Sequence, residues 1–98
     1  LKVVAVKLRS EDAKDKIAAF YLKELARFGT VLDCSQGDPA ERKRDRKSKE
    51  LSCEGERAKR NGVLLKAGTK ANQRVVSIEP KGESIAIALV HVEIRGLD

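Results

Sequence analysis

Few residues in this chain of 98 amino acids have side chains suited to chemistry, and most of those are cations. His91 is the single histidine. It stands inside the apolar run 85–94, where a core or sheet histidine is the expected reading rather than the general base of a nucleophilic triad. Cys34 and Cys53 form no CxxC pair. A zinc site wants about four clustered ligands, and one histidine with two separated cysteines does not supply them. The two thiols are therefore read as reduced, in a cytosolic or organellar interior, with one disulfide as the alternative. No Walker A or dinucleotide glycine pattern follows the first apolar run. Carboxylates cluster only where helices start.

The cations are unevenly placed. Residues 1–40 hold 7 basic and 6 acidic groups, and residues 50–98 hold 8 and 7. The nine residues 41–49 (ERKRDRKSK) hold 6 basic and 2 acidic groups, so most of the net charge of +6 comes from them. Arg42, Lys43, Arg44, Arg46, Lys47 and Lys49 form the footprint expected of a phosphate-backbone contact. The plainer reading of such a run is a solvated helix face. No aromatic residue is interleaved, so base stacking is not indicated there. A second, smaller feature is Glu79-Pro80-Lys81-Gly82, a glycine-bearing turn at a strand end. Such turns can receive a ligand, and Lys81 is the cation it would offer.

The elements that position these residues follow from periodicity. Residues 2–8 (KVVAVKL) alternate and are rich in valine, which predicts an opening strand. Ser10 precedes Glu11, Asp12 and Asp15, a favourable helix start. Ala13, Ile17, Phe20, Tyr21, Leu25 and Phe28 then recur at helical spacing, predicting a helix over 11–28 that ends at Gly29. Residues 30–34 read as a short strand. Asp38, Pro39 and Glu41 open a second helical segment over about 39–66. Its portion 39–62 is basic, thinly apolar and expected to lie exposed at the edge of the fold. Residues 73–79 read as a third strand. The run 85–94 reads as a strand, with a short helix capped by Ser84 as the alternative. The order β-α-β-α-β, with a closing strand or helix, predicts one domain over 1–98: an α/β three-layer sandwich around a largely parallel sheet.

Four segments, in order, resemble the N-terminal half of the RlmH-type SPOUT methyltransferases: VVAVKL, YLKELARFGTVLD, CEGERAKR and RVVSIEPKGES. The matching residues are Ala5, Val6, Lys7, Tyr21, Lys23, Leu25, Glu54, Gly55, Glu56, Arg57, Val75, Val76, Glu79 and Gly82. The family's glycine between Val6 and Lys7 is missing, and about five extra residues fall between Arg57 and Leu65. The resemblance covers residues 2–84 and includes none of the family's knotted C-terminal half. It implies an incomplete SPOUT-like fold and S-adenosylmethionine-dependent methylation of a pseudouridine in ribosomal RNA, by a homodimer in the full-length family. It further implies a cofactor contact at Ile78, or at Val92 in a second register, and no catalysis by this portion alone.

The alternative is a non-enzymatic, basic RNA-binding or ribosome-associated module. Residues 78–94 faintly resemble the strand and Lys-Gly loop of the Alba family, with Lys81 as a phosphate contact. A degenerate or split family member kept for contacts is a third reading. No apolar run approaches the roughly 18 residues of a membrane-spanning helix. Nothing near Leu1 reads as a signal peptide, so a cytoplasmic location is expected, with an organelle as the alternative. The absent initiator methionine suggests a piece of a longer protein.

Overall fold

The computed structural model describes residues 1–37, 51–53 and 55–95. Its elements in chain order are β1 (Lys2–Ser10), α1 (Lys14–Leu25) with a 3-10 turn at Ala26–Phe28, β2 (Val31–Asp33), β3 (Val63–Gly68), β4 (Asn72–Lys81) and β5 (Ser84–Glu93). The five strands form one sheet in the order β1-β5-β4-β3-β2, and every neighbouring pair is antiparallel. The expected three-layer sandwich with a parallel sheet is therefore overturned. One helix lies on an antiparallel sheet. β1 and β2 run the same way only because an odd number of antiparallel strands separates them. They sit at opposite edges, and the chain later inserts β3, β4 and β5 between them. Strands consecutive in sequence are usually neighbours, as β2–β3, β3–β4 and β4–β5 are here, and only β1 and β2 depart from that tendency.

The helix begins at Lys14 rather than at residue 11. Ser10 Oγ instead accepts the Asp12 N–H at 3.0 Å in a turn before it. Its apolar stripe buries Ile17 and Leu25 against Leu65, Ala67, Val76, Ile78 and Ile87 of the sheet. Phe28 closes the helical stretch, and Gly29, at φ 119°, ends it as expected. Arg74 lays its guanidinium over the Phe28 ring at 3.9 Å, holding the helix end to β4.

Residues 63–66, expected at the end of a second helix, are strand β3, and the described residues 51–53 and 55–62 carry no helix. The rest of that expected helix, including the basic block, lies outside the described residues. The segment VLLKAG misleads because both its faces are covered. Leu64, Leu65, Lys66 and Ala67 are all buried, so no period-two alternation shows in the sequence. The 85–94 run is a strand, β5.

Registers assign the faces. Val63, Leu65 and Ala67 of β3, Val76 and Ile78 of β4, and Ile85, Ile87 and Leu89 of β5 share the face beneath α1. On the opposite face Leu64 packs with Cys34 and Cys53, supported by Leu32, Ala58 and Val75. The two cysteines are joined in a disulfide with Cα atoms 5.6 Å apart, which overturns the expectation of reduced thiols. Their spacing of 19 residues gave no sign of it, because only the return of the chain across β3 brings them together.

Lys66 locks the same corner. Its residue is 1% exposed. Its Nζ donates to the Ser52 and Cys53 carbonyls at 3.4 and 3.5 Å and reaches Glu56 Oε1 at 3.3 Å. A buried ammonium is tolerated only when paired and hydrogen-bonded, and these partners meet that need.

Tight turns finish the sheet. Gly68 has φ 101°, and a Cβ there would collide with the Asn72 carbonyl, so this turn requires glycine. Lys81 pairs with Ser84 around a two-residue turn in which Gly82, at φ 63°, has positive φ and Glu83 does not. That is the pattern of a type II′ hairpin.

A candidate anion-binding trench

The described residues cover the sheet face opposite α1 only in part. Residues 51–53 and 55–62 and the disulfide close it over β2, β3 and the adjoining part of β4. Toward the β4–β5 hairpin and the free edge β1, the face is open and forms a depression of about 460 Å³. Its geometry follows from the registers. Ala88 of β5 lies between Lys7 of β1 and Ser77 of β4, and Ala86 lies between Arg9 and Glu79. Two alanines thus make a low floor between walls of longer side chains. The walls stand two strand spacings apart, about 10 Å.

The electrostatics are lopsided. Glu79 is the one carboxylate lining the depression. Its Oε1 meets Lys59 Nζ at 3.7 Å and its Oε2 meets Lys81 Nζ at 3.7 Å. One carboxylate therefore serves two ammonium groups. Lys7 and Arg9 form no ion pair among the described residues. Three cations and one anion line the depression, and Lys59 reaches that anion from outside the lining. A surface of this kind attracts anions, and the low floor lets a ligand approach both walls at once.

Lys81, singled out from its turn, thus lies in the trench, at the lip formed by the β4–β5 hairpin. Lys7, Arg9 and Lys59 were missed. The signal for two of them was present: Lys7 and Arg9 are two apart on a strand, so they share a face. Lys59 gave no signal, since its approach to Glu79 depends on how residues 55–62 cross the sheet. Arg42, Lys43, Arg44, Arg46, Lys47 and Lys49 lie outside the described residues. Ile78 is 0% exposed beneath α1 and has no surface left to offer a cofactor. Val92 is half-buried on the trench side of β5, opposite Val3 and Gln73 and away from Ala86 and Ala88. The two candidate registers for the cofactor contact therefore fall on opposite faces of the sheet.

His91 is on the other face, where its Nε2 lies 2.6 Å from Asn72 Oδ1. It lines a smaller apolar groove of about 260 Å³ beside α1, with Val4, Val6, Tyr21 and Leu89. Among the described residues no group of three His, Cys, Asp or Glu side chains gathers to hold a metal. No helix of these residues is long and apolar enough to cross a membrane. The chain matches no protein-family model, no curated protein and no solved structure, so the four-segment resemblance rests on its own residues.

Proposed function

We propose that this chain is a non-enzymatic binding module that takes a single phosphate-bearing strand, tested first as RNA, in the trench between β1 and β4. The observation that carries this reading is the pair Lys7 and Arg9, which form no ion pair among the described residues and stand across the Ala86–Ala88 floor from Ser77 and Glu79, with Lys81 at the hairpin lip of the same trench. Affinity would come from phosphate contacts, with Ser77 as an additional hydroxyl donor. No aromatic side chain lines the trench, so binding would be indifferent to base sequence. The 41–49 block adds six cations to the chain's attraction for phosphates.

The buried Cys34–Cys53 bond supports a compartment more oxidising than the cytosol, since such bonds persist there and are reduced elsewhere. The reading as part of an S-adenosylmethionine-dependent methyltransferase gains no support from the position of Ile78, which was to be its cofactor wall.

The test is fluorescence anisotropy with a labelled single-stranded oligoribonucleotide, alongside inorganic polyphosphate of similar charge. Support would be binding that Lys7→Glu/Arg9→Glu weakens at least tenfold while the melting temperature holds. Equal competition by polyphosphate would mark recognition of phosphate alone; weak competition would add a role for ribose or base. Affinity unchanged by the double variant would overturn the reading.

A further inference from the structure

The trench occupies one side of β1; the outer edge of that strand is a separate feature. Among the described residues β1 ends the sheet and pairs only with β5, through nine consecutive positions with no bulge. Every residue from Lys2 to Arg9 is exposed. Val4, Val6 and Leu8 project on the α1 side and Val3 on the trench side, each 44–56% exposed. The opposite edge is handled differently. β2 has three residues, and beyond it Ser35 turns back on Asp33, its N–H and Oγ both donating to Asp33 Oδ1 at 2.9 and 2.6 Å. Short, turned-away edges resist pairing, whereas a long, straight, apolar edge invites it.

From this edge we infer that two copies of the chain join through β1, antiparallel and centred on Val6, in one continuous ten-stranded sheet. The strand's own sequence selects a second copy as the occupant. Faces match only when residues of like parity lie opposite, so the dyad must pass through a residue. Centring on Val6 pairs all nine residues of the strand. On the α1 side Val6 then faces Val6 of the second copy, and Val4 faces Leu8, giving an unbroken aliphatic stripe. On the trench side Lys7 faces Ala5 and Arg9 faces Val3. Lys2 meets Ser10. No two cations are directly opposed, which matters because like charges at that position are destabilising. Centring on Lys7 would stack lysine on lysine. Centring on Ala5 would set Lys2 against Leu8.

The area fixes the strength of this pairing. The exposed fractions of the four aliphatic side chains amount to roughly 300 Å² per copy, against about 800 Å² in an ordinary stable interface. Roughly nine backbone hydrogen bonds and the stems of Lys2, Lys7 and Arg9 supply the remainder. The dimer belongs at the weak end of specific interfaces, with dissociation in the micromolar range. The dyad is perpendicular to the sheet, so both trenches face the same way.

The experiment combines sedimentation equilibrium with engineered cross-linking of the full chain. Wild type should shift from monomer to dimer across micromolar to submillimolar concentration. Val6→Glu, which sets two carboxylates face to face at the dyad, should remain monomeric with an unchanged circular dichroism spectrum. Val6→Cys should oxidise to a covalent dimer, because opposed residues in an antiparallel pair have Cα atoms within disulfide range. Val3→Cys is the control: the two copies of residue 3 would lie about 20 Å apart, so it should not cross-link. A monomer at every concentration overturns the proposal, as does cross-linking of Val3→Cys as readily as Val6→Cys.

Discussion

Reduction of the Cys34–Cys53 disulfide is the sharpest perturbation available. The bond closes a loop across a sequence separation of 19. In the chain-entropy account, a loop of this length left open in the unfolded state costs the fold about 3 kcal/mol. Both sulfurs sit in a small cluster with Leu64, backed by Leu32, Ala58 and Val75, so the freed thiols keep their apolar surroundings and the loss is mostly entropic. Lys66 should continue to hold the Ser52 and Cys53 carbonyls, so the reduced chain remains folded. In a domain of this size each kcal/mol moves the melting temperature by about 4–8 °C, so a fall of roughly 15 °C is expected. Thermal melts followed by circular dichroism, with and without reductant, read this directly. Thiol titration in denaturant supplies the companion count, none before reduction and two after. The urea m-value should rise on reduction, because the unfolded chain is then free to expand. Two free thiols without reductant, or melting temperatures within two or three degrees (about 0.5 kcal/mol), would refute the reasoning.

Three further outcomes are expected. Lys66→Met should cost about 1–3 kcal/mol in urea unfolding, since the Ser52 carbonyl loses this donor and the Cys53 carbonyl keeps the Glu56 N–H at 2.9 Å, while the Glu56 carboxylate stays solvated; an unchanged midpoint would show that Lys66 holds nothing. Gly68→Ala should destabilise more than Gly82→Ala in the same assay. Both need positive φ, but only at Gly68 does a Cβ strike the Asn72 carbonyl, while around Gly82 the space is open. Equal losses would count against that turn geometry. Arg74→Ala should cost about 0.5–1 kcal/mol by freeing the Phe28 ring, with Arg74→Lys recovering only part of it; a neutral Arg74→Ala would dismiss the contact.

How far the fold was legible depends on whether each element exposes one face. The helix showed its 3.6-residue stripe because Ile17 and Leu25 point inward, although Phe20 and Phe28, placed on the same stripe by spacing, are exposed. β1, β4 and β5 were visible through β-branching. β3 was hidden because it is covered on both sides, and because a lysine in its centre reads as solvent-facing until its carbonyl partners are known. Sheet direction was illegible for a different reason. It depends on three late strands inserting between two early ones, and no local pattern records that order. The trench is a similar case. Lys81 announced itself through Gly82, whereas Lys7 and Arg9 were missed although their spacing puts them on one face. Their assembly around Ala86 and Ala88 required the register of three strands from distant parts of the chain.

The central claim is that Lys7, Arg9 and Lys81 neutralise phosphates. Its most direct measurement is the salt dependence of RNA affinity for wild type and for the triple variant Lys7→Glu/Arg9→Glu/Lys81→Glu. On single strands each neutralised phosphate contributes about 0.7 to the log–log slope, so loss of three contacts should flatten it by about 2. Charge reversal across 42–49 in a parallel variant separates that block's share. A flattening of about 2 in the trench variant is the expected result. A trench variant with the wild-type slope, the whole salt dependence being lost only when 42–49 is reversed, would contradict the account.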